Sequence, residues 1–407
     1  MRVLLSTIGS RGDVQPLVAL GLELKELGHD VRCCVPPDFR EWIEALGLSV
    51  TPIGPTLRST ARPNPSGATP TAEQRRQMIE GTVAAQFQTI AAAAEGRDVI
   101  VGATALQVAA PSVAERLGIP YVFAAYCPTV LPSRHHPPPV LTMLGDKPAT
   151  DLDDYSALWE ADAQRWNAGW LDVLNAQRTG LGLPAVPDVR EYVLTRHPWL
   201  AADPSLGPWP GNGLAVFQTG AWILPDRRPL SPELERFLEA GSPPVYIGFG
   251  SIRFPEAVAL SMISAARALG RRVLVSRGWA DLVPAEGDPD CLSIDETNHH
   301  LLFPRVAAVV HHGGAGTTTA AARAGTSQVV IPQHYDQHYW ARRVDELGIG
   351  VALATNTPDP NAMARAMERA LSASVHAAAR SFAATMRSDG ARVAAERLTA
   401  EVSSGAD

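Results

Sequence analysis

The chain repeats one rhythm twice: a short apolar segment, a turn rich in glycine or proline, then a longer stretch whose apolar positions recur at helical spacing. In the first half Arg2 to Thr7, Asp30 to Val35, Leu48 to Ile53, Asp98 to Val101 and Tyr121 to Ala124 read as strands. Val14, Leu17, Val18, Gly21, Leu24 and Leu27 keep one helix face, and Phe39 to Leu46 reads as a second helix. In the second half strands at Val245 to Phe249, Arg272 to Ser276, Cys291 to Ile294, Ala307 to His311 and Gln328 to Ile331 are joined by helices at Pro255 to Leu269, Thr317 to Ala324 and Tyr339 to Leu347. Strands separated by helices pair in parallel, so the alternation predicts an α/β fold with two Rossmann-like, doubly wound parallel sheets.

At 407 residues the chain exceeds one ordinary core. The boundaries read as an N-terminal domain over 1–205, a linker over 206–243 and a C-terminal domain over 244–385. Proline and glycine are dense from Pro198 through Pro244, interrupted by an extended piece at Val216 to Leu224. Beyond Asp359 the pattern is helical and alanine-rich to Val402, and residues 386–407 form a helix expected to pack back on the N-terminal domain. Thr56 to Pro70 and Pro128 to Pro148 are expected to be mobile loops. Trp159, Trp166 and Trp170, at near-helical spacing, mark a packed helix face.

A net charge of −7 argues against a nucleic-acid surface as the main partner. The apolar start is too short for a signal peptide and no stretch approaches a bilayer-crossing length, so a cytoplasmic monomer without membrane insertion is expected. Cys33, Cys34, Cys127 and Cys291 lack metal or redox spacing and read as reduced core residues.

Residues 307–320 read Ala-Ala-Val-Val-His-His-Gly-Gly-Ala-Gly-Thr-Thr-Thr-Ala. Gly313, Gly314 and Gly316 let backbone amides approach an anion with no side chain between. The helix that follows aims its unpaired N–H groups and positive dipole end at the same point, and His312, Thr317 and Thr318 add donors. The segment is suited to a diphosphate; alone, it reads equally well as a tight strand-to-helix connection. No Lys follows the turn in the P-loop manner, and the spacing is not the dinucleotide Gly-x-Gly-x-x-Gly, which excludes a P-loop nucleotidase and a nicotinamide enzyme.

Asp13 stands where an N-cap would for the helix beginning at Val14, with Pro16 tolerated in the first turn; by itself it reads as a cap. Asp151-Leu152-Asp153-Asp154 has the letters of a metal motif but reads as capping charge at a helix start. His135-His136 has no acidic or thiol partner at ligand spacing and reads as a surface loop. No metal site is predicted.

Taken together, Gly9-Ser10-Arg11-Gly12-Asp13, the segment from His311 to Thr318, and Pro332-Gln333-His334-Tyr335-Asp336-Gln337 resemble the inverting, metal-independent glycosyltransferases of the GT-B fold, which use nucleotide-diphosphate sugars. Leu200-Ala201-Ala202-Asp203-Pro204, Gln218-Thr219-Gly220-Ala221-Trp222, Gly248-Phe249-Gly250-Ser251 and Ser276-Arg277-Gly278-Trp279 bring the likeness to the glycopeptide-antibiotic group of the vancomycin and teicoplanin type. The resemblance implies two domains facing across a cleft, the acceptor on the N-terminal one and the donor on the C-terminal one. It implies Asp13 as general base. Ser10, Arg11, Ser251, His312, Gly313, Gly314, Ala315, Gly316 and Thr317 would hold the donor diphosphate. Trp279 and Thr297 would hold the nucleoside, and Asp336, Gln337 and His334 the donor sugar.

Glu296-Thr297-Asn298-His299 stands where many relatives carry Trp-Val-Pro-Gln, which removes an expected stacking tryptophan and leaves uracil and thymine both open. The implied reaction is transfer of a sugar, with inversion, from a UDP- or TDP-sugar to a hydroxyl of a glycopeptide aglycone or pseudoaglycone. The nucleotide sugar is a co-substrate, and no cofactor is implied. The alternatives are another natural-product acceptor (macrolide, polyketide or flavonoid) and a GT-B-fold nucleotide-sugar epimerase, which has no use for Asp13 or for long acceptor loops.

Overall fold

The structure is a computed structural model that describes residues 1–60, 71–104, 106–141, 146–149, 152–211, 213–251, 256–278 and 288–404. Among them the strands form two parallel sheets. The first contains β1 (Arg2–Thr7), β2 (Asp30–Val35), β3 (Ser49–Pro52), β4 (Val99–Ala103), β5 (Tyr121–Ala125), β6 (Trp199–Leu200) and β7 (Phe217–Gln218), in the order β3-β2-β1-β4-β5-β6-β7. The second contains β8 (Val245–Gly248), β9 (Val273–Ser276), β10 (Cys291–Ile294), β11 (Ala308–His311), β12 (Gln328–Val330) and β13 (Gly350–Ala352), in the order β10-β9-β8-β11-β12-β13.

Both sheets reverse their winding beside their first strand, between β1 and β4 in one and between β8 and β11 in the other. Loops leaving the carboxyl ends on either side of such a reversal diverge to opposite faces and open a crevice. The loop from Ile8 to Ser10 leaves β1 at the first reversal, and the glycine turn leaves β11 at the second.

The helices are α1 (Arg11–Glu26), α2 (Arg40–Ala45), α3 (Leu57–Thr60), α4 (Ala72–Ala94), α5 (Ala110–Leu117), α6 (Ser156–Gly180), α7 (Val189–Leu194), α8 (Pro232–Glu239), α9 (Glu256–Ala268), α10 (His299–Leu302), α11 (Ala315–Arg323), α12 (Gln337–Glu346), α13 (Pro360–Ala370), α14 (Ala373–Ala383) and α15 (Gly390–Ser404). Strand alternation sorts side chains to the two faces of the first sheet. Leu4, Cys34 and Ile100 pack with Val83, Phe87 and Ile90 of α4, whereas Leu5, Cys33 and Val101 pack with Leu17, Leu20 and Leu24 of α1. Cys33, Cys34 and Cys127 are buried, Cys291 is half-buried, and all four are free thiols.

Within residues 206–243, β7 extends the first sheet, whereas Leu234 and Leu238 of α8 pack with Tyr246 and Leu274 in the second domain's core. At the far end α15 lays Ala391, Ala394, Ala395 and Leu398 into the α1 side of the first core, where small side chains permit close approach. The helical run after Asp359 is not continuous. Ser372 caps α14 by accepting from the Val375 N–H, and Asp203 accepts the Arg387 N–H at 2.7 Å, fixing the turn before α15.

Other local expectations shift. α1 starts at Arg11 with Ser10 as its cap, so Asp13 sits one position short of the second turn and is not the N-cap. α11 starts at Ala315, not Thr317, because Gly314 already adopts the cap conformation. His136 is buried rather than a loop surface residue: its ring lies edge-on to Trp159 and Trp209, and its carbonyl accepts the Trp159 indole N–H at 2.8 Å. Trp159 is buried on α6, and Trp166 and Trp170, partly buried, pack against the α4 side of the first domain's core. Trp279, Asp151, most of the Thr56 to Pro70 loop and part of the Pro128 to Pro148 stretch lie outside the described residues. No described helix is long and apolar enough to cross a membrane.

Candidate active site

The two reversals open into one cleft of about 2360 Å³. Ser10, Arg11 and Asp13 line it from the first domain, and Ser251, Thr297, His312, Gly314, Ala315, Gly316, Thr317, His334, Asp336 and Gln337 from the second. Of the described residues singled out in the sequence as ligands of the turn, Gly313 and Thr318 lie behind the wall. For Gly313 the backbone gives the reason. Its φ of +89° and a space in which a Cβ would come 2.8 Å from Val330 and 3.0 Å from the Gln337 carbonyl explain why glycine is needed there.

Asp13 is held at the third position of α1. Its Oδ2 accepts the Ser10 backbone N–H at 2.7 Å and the Ser10 hydroxyl at 3.2 Å, while its carbonyl accepts the Tyr126 hydroxyl at 3.0 Å. The carboxylate folds so far over the preceding loop that a Cβ on Gly9 would come within 2.5 Å of its Cγ. Burial pushes the Asp13 pKa from 3.8 to about 6, against the opposing pull of the Ser10 bonds. Gly9 is therefore a site residue that the sequence offered only as part of a motif.

Across the cleft, α11 begins at the glycine turn. The N–H groups of Ala315, Gly316 and Thr317 stand in its first turn, where no intrahelical acceptor exists, and they carry the positive end of the helix dipole. The two adjacent histidines divide the work. His311 is fully buried: its Nδ1 accepts the Gly313 N–H at 3.0 Å and its Nε2 meets Gln328 Oε1 at 2.9 Å, so it holds the turn. His312 lines the cleft, and desolvation lowers its pKa to about 3, leaving a neutral ring that can donate one N–H. Thr318 turns inward and gives its hydroxyl to the Gly314 carbonyl at 2.9 Å, so Thr317 is the threonine left on the cleft wall.

Asp336 caps α12. Its Oδ2 accepts the Trp340 indole N–H at 2.9 Å, and burial with the nearby Asp13 charge raises its pKa to about 7. Gln337 uses its side-chain carbonyl to accept the backbone N–H groups of Gln333 at 2.8 Å and His334 at 3.2 Å. That leaves its amide N–H₂ for other acceptors. Tyr335, at φ +59°, exchanges two backbone bonds with Val140 of the first domain, which ties this turn to the opposite wall.

Arg11 reaches across the cleft. It stacks on Trp42 at 3.7 Å and donates to Glu296 at 2.8 Å, and Arg228 joins the same carboxylate at 3.2 Å. Glu296, where a stacking tryptophan was missed, thus forms an ion pair between the halves. Asn298 caps α10 and donates to the carbonyls of Asp226 and Arg228 at 2.9 Å. No described cluster of three or more His, Cys, Asp or Glu side chains is arranged to hold a metal ion.

Two α/β domains meeting at facing reversals, a helix N-terminus with unpaired amides on one and a buried carboxylate on the other, define a GT-B transferase architecture. Residues 3–133 match the glycosyltransferase family 28 N-terminal domain, and residues 289–402 the C-terminal domain of erythromycin biosynthesis protein CIII-like proteins. Vancomycin aglycone glucosyltransferase of Amycolatopsis orientalis is 49% identical over 99% of this chain and 98% of its own length. The dTDP-epi-vancosaminyltransferase of the same organism is 42% identical over 93% of this chain and 92% of its own. Among solved structures, the glycotransferase of kitacinnamycin superposes with a TM-score of 0.74 at 18% identity, covering 98% of this chain and 99% of that one. The calicheamicin glycosyltransferase superposes at 0.70 with 19% identity over the whole of both chains. The chain belongs to the GT-B-fold family of glycopeptide-antibiotic glycosyltransferases.

Proposed function

We propose that this glycosyltransferase moves a sugar from a nucleotide-diphosphate sugar to a hydroxyl of a glycopeptide aglycone or pseudoaglycone, with inversion, Asp13 acting as base. One observation carries the reading: a buried carboxylate and a helix N-terminus line a single cleft from opposite domains. With the acceptor activated from one wall and the leaving diphosphate received at the other, displacement at the anomeric carbon runs in line, and in-line displacement inverts. The acceptor class follows the activities of the full-length relatives.

Asp13 uses Oδ2 for Ser10 and keeps Oδ1 for the acceptor hydroxyl. With its pKa at about 6 it is ionised at neutral pH yet basic enough to take a proton late in the transition state. A phenolic acceptor, being far more acidic than an aliphatic alcohol, eases that transfer. On the other wall the amides of Ala315 to Thr317, the α11 dipole and neutral His312 take up the charge that develops on the departing β-phosphate, without need of a metal ion. Asp336 and the Gln337 amide orient the sugar, one accepting and one donating to its hydroxyls.

The test is a mass-spectrometric screen of glycopeptide aglycones and pseudoaglycones with UDP- and TDP-sugars, with and without a chelator. A hexose-sized mass gain insensitive to chelation is expected. Product only with a macrolide or flavonoid acceptor, or epimerised donor without acceptor, overturns the assignment.

A further inference from the structure

Trp340 is 1% exposed and forms part of the apolar cluster that runs from the first domain into α12. The outer edge of its six-membered ring lies against Gly207, a residue of the segment before β7: a Cβ there would stand 2.8 Å from Trp340 Cη2 and 3.0 Å from Cζ3. The other end of the indole enters the cleft and donates its N–H to Asp336 Oδ2 at 2.9 Å, one helical turn back on the same face. Nearby, Arg343 donates to the Leu206 carbonyl at 3.0 Å, so the backbone that bears Gly207 is itself fixed against α12. A single rigid side chain therefore touches the acceptor domain with one edge and the carboxylate of the donor turn with the other.

We infer that Trp340 is a positioning residue for the donor sugar, holding the Asp336 carboxylate in the sugar-binding orientation and doing so only while Gly207 of the first domain is packed against its ring. The inference rests on the reading of Asp336 as a sugar ligand. With Oδ2 committed to the indole, Oδ1 alone faces a sugar hydroxyl, and the carboxylate plane is fixed by the ring. Without the indole N–H the carboxylate is free to rotate about its Cβ–Cγ bond, and one of the bonds that favours its ionised form is lost. Docking of the domains and orientation of the sugar become one event.

The experiment measures the affinity of the full-length protein for UDP-glucose and TDP-glucose, and for UDP and TDP, by calorimetry. The ratio between nucleotide sugar and bare nucleotide isolates the sugar's share. Trp340→Phe keeps the ring and removes the donor; Gly207→Ala keeps the donor and displaces the ring; Asp336→Ala removes the carboxylate. Each single variant should shift the ratio against the nucleotide sugar by about tenfold, the order expected for one hydrogen bond to a charged group, while UDP and TDP bind as in the parent. Trp340→Phe should add no more than about twofold when Asp336 is already Ala, as expected for groups acting through one another.

In Trp340→Phe the pH at which the sugar's share is half lost should rise above that of the parent, since a bond to the ionised form has gone. If Asp336→Ala leaves the ratio unchanged, the reading of Asp336 as a sugar ligand fails. If Asp336→Ala shifts it but Trp340→Phe and Gly207→Ala do not, or if they weaken UDP and TDP equally, the inference about Trp340 fails alone.

Discussion

Asp13→Asn should cost turnover and gain stability, and the two effects come from the same geometry. Burial holds the Asp13 pKa at about 6, above the ordinary 3.8, so ionising it in the folded state is harder than in the unfolded chain. That displacement corresponds to roughly 2–3 kcal/mol of native-state stability, the lower figure allowing for solvent at its outer oxygen. The sign is that of a raised carboxylate: no penalty below pH 3.8, growth as pH rises toward about 6, and the full penalty above it.

Asparagine carries no such penalty and still offers an oxygen to the Ser10 N–H, which Asp13 accepts at 2.7 Å. At pH 8 the variant should therefore melt roughly 2–4 °C higher than the parent, with the difference vanishing near pH 4. Turnover should fall about 100- to 10,000-fold, as expected on losing a general base, with nucleotide-sugar affinity unchanged. Calorimetric melting across pH 4–8 and steady-state kinetics on the same preparation read both. Equal melting temperatures at pH 8, or turnover within tenfold of the parent, would refute the reasoning.

Gly9→Ala forces a Cβ to within 2.5 Å of Asp13 Cγ, so turnover should drop while UDP or TDP affinity, measured by calorimetry, stays within about twofold of the parent. His312→Ala should weaken nucleoside diphosphate binding about tenfold, and evenly from pH 5 to 8, because a histidine with its pKa near 3 does not titrate there. A parent affinity that rises steeply below pH 6.5 contradicts the neutral-donor role. Far from the cleft, the nearly inaccessible Arg178 pairs with Glu115 at 2.8 Å and donates to the Pro184 carbonyl at 2.8 Å. Arg178→Met should cost about 3 kcal/mol in urea unfolding yet leave activity per folded molecule unchanged.

Legibility in the sequence followed how local the determining physics is. The buried strands β1, β2, β8 and β11 announce themselves as short apolar runs between glycine or proline turns, and their order is enough to predict parallel pairing. α4 went unread although Val83, Phe87, Ile90 and Ala94 keep helical spacing, because alanines on its other faces dilute the contrast. At the site, the glycine turn and Asp13 were readable because each lies within a few residues of a strand end. The separate duties of His311 and His312 were not, since they depend on Gln328, 17 residues further on.

Least visible were the contacts that exist only where the domains meet. Arg11 reads as an anion ligand in the sequence, but in the structure its guanidinium is engaged by Trp42 and by Glu296, 285 residues away. Trp340 reads as one more apolar residue of a helix, and only the packing against Gly207 brings out its second role.

Transfer across a cleft, with the base on one wall and the leaving group on the other, fixes stereochemistry more directly than it fixes rate. The decisive measurement is the proton NMR coupling of the anomeric position in product made from an α-linked UDP- or TDP-glucose and a glycopeptide aglycone. The account predicts the large coupling of a β-glycoside. A small coupling, from an α-linked product, would contradict it.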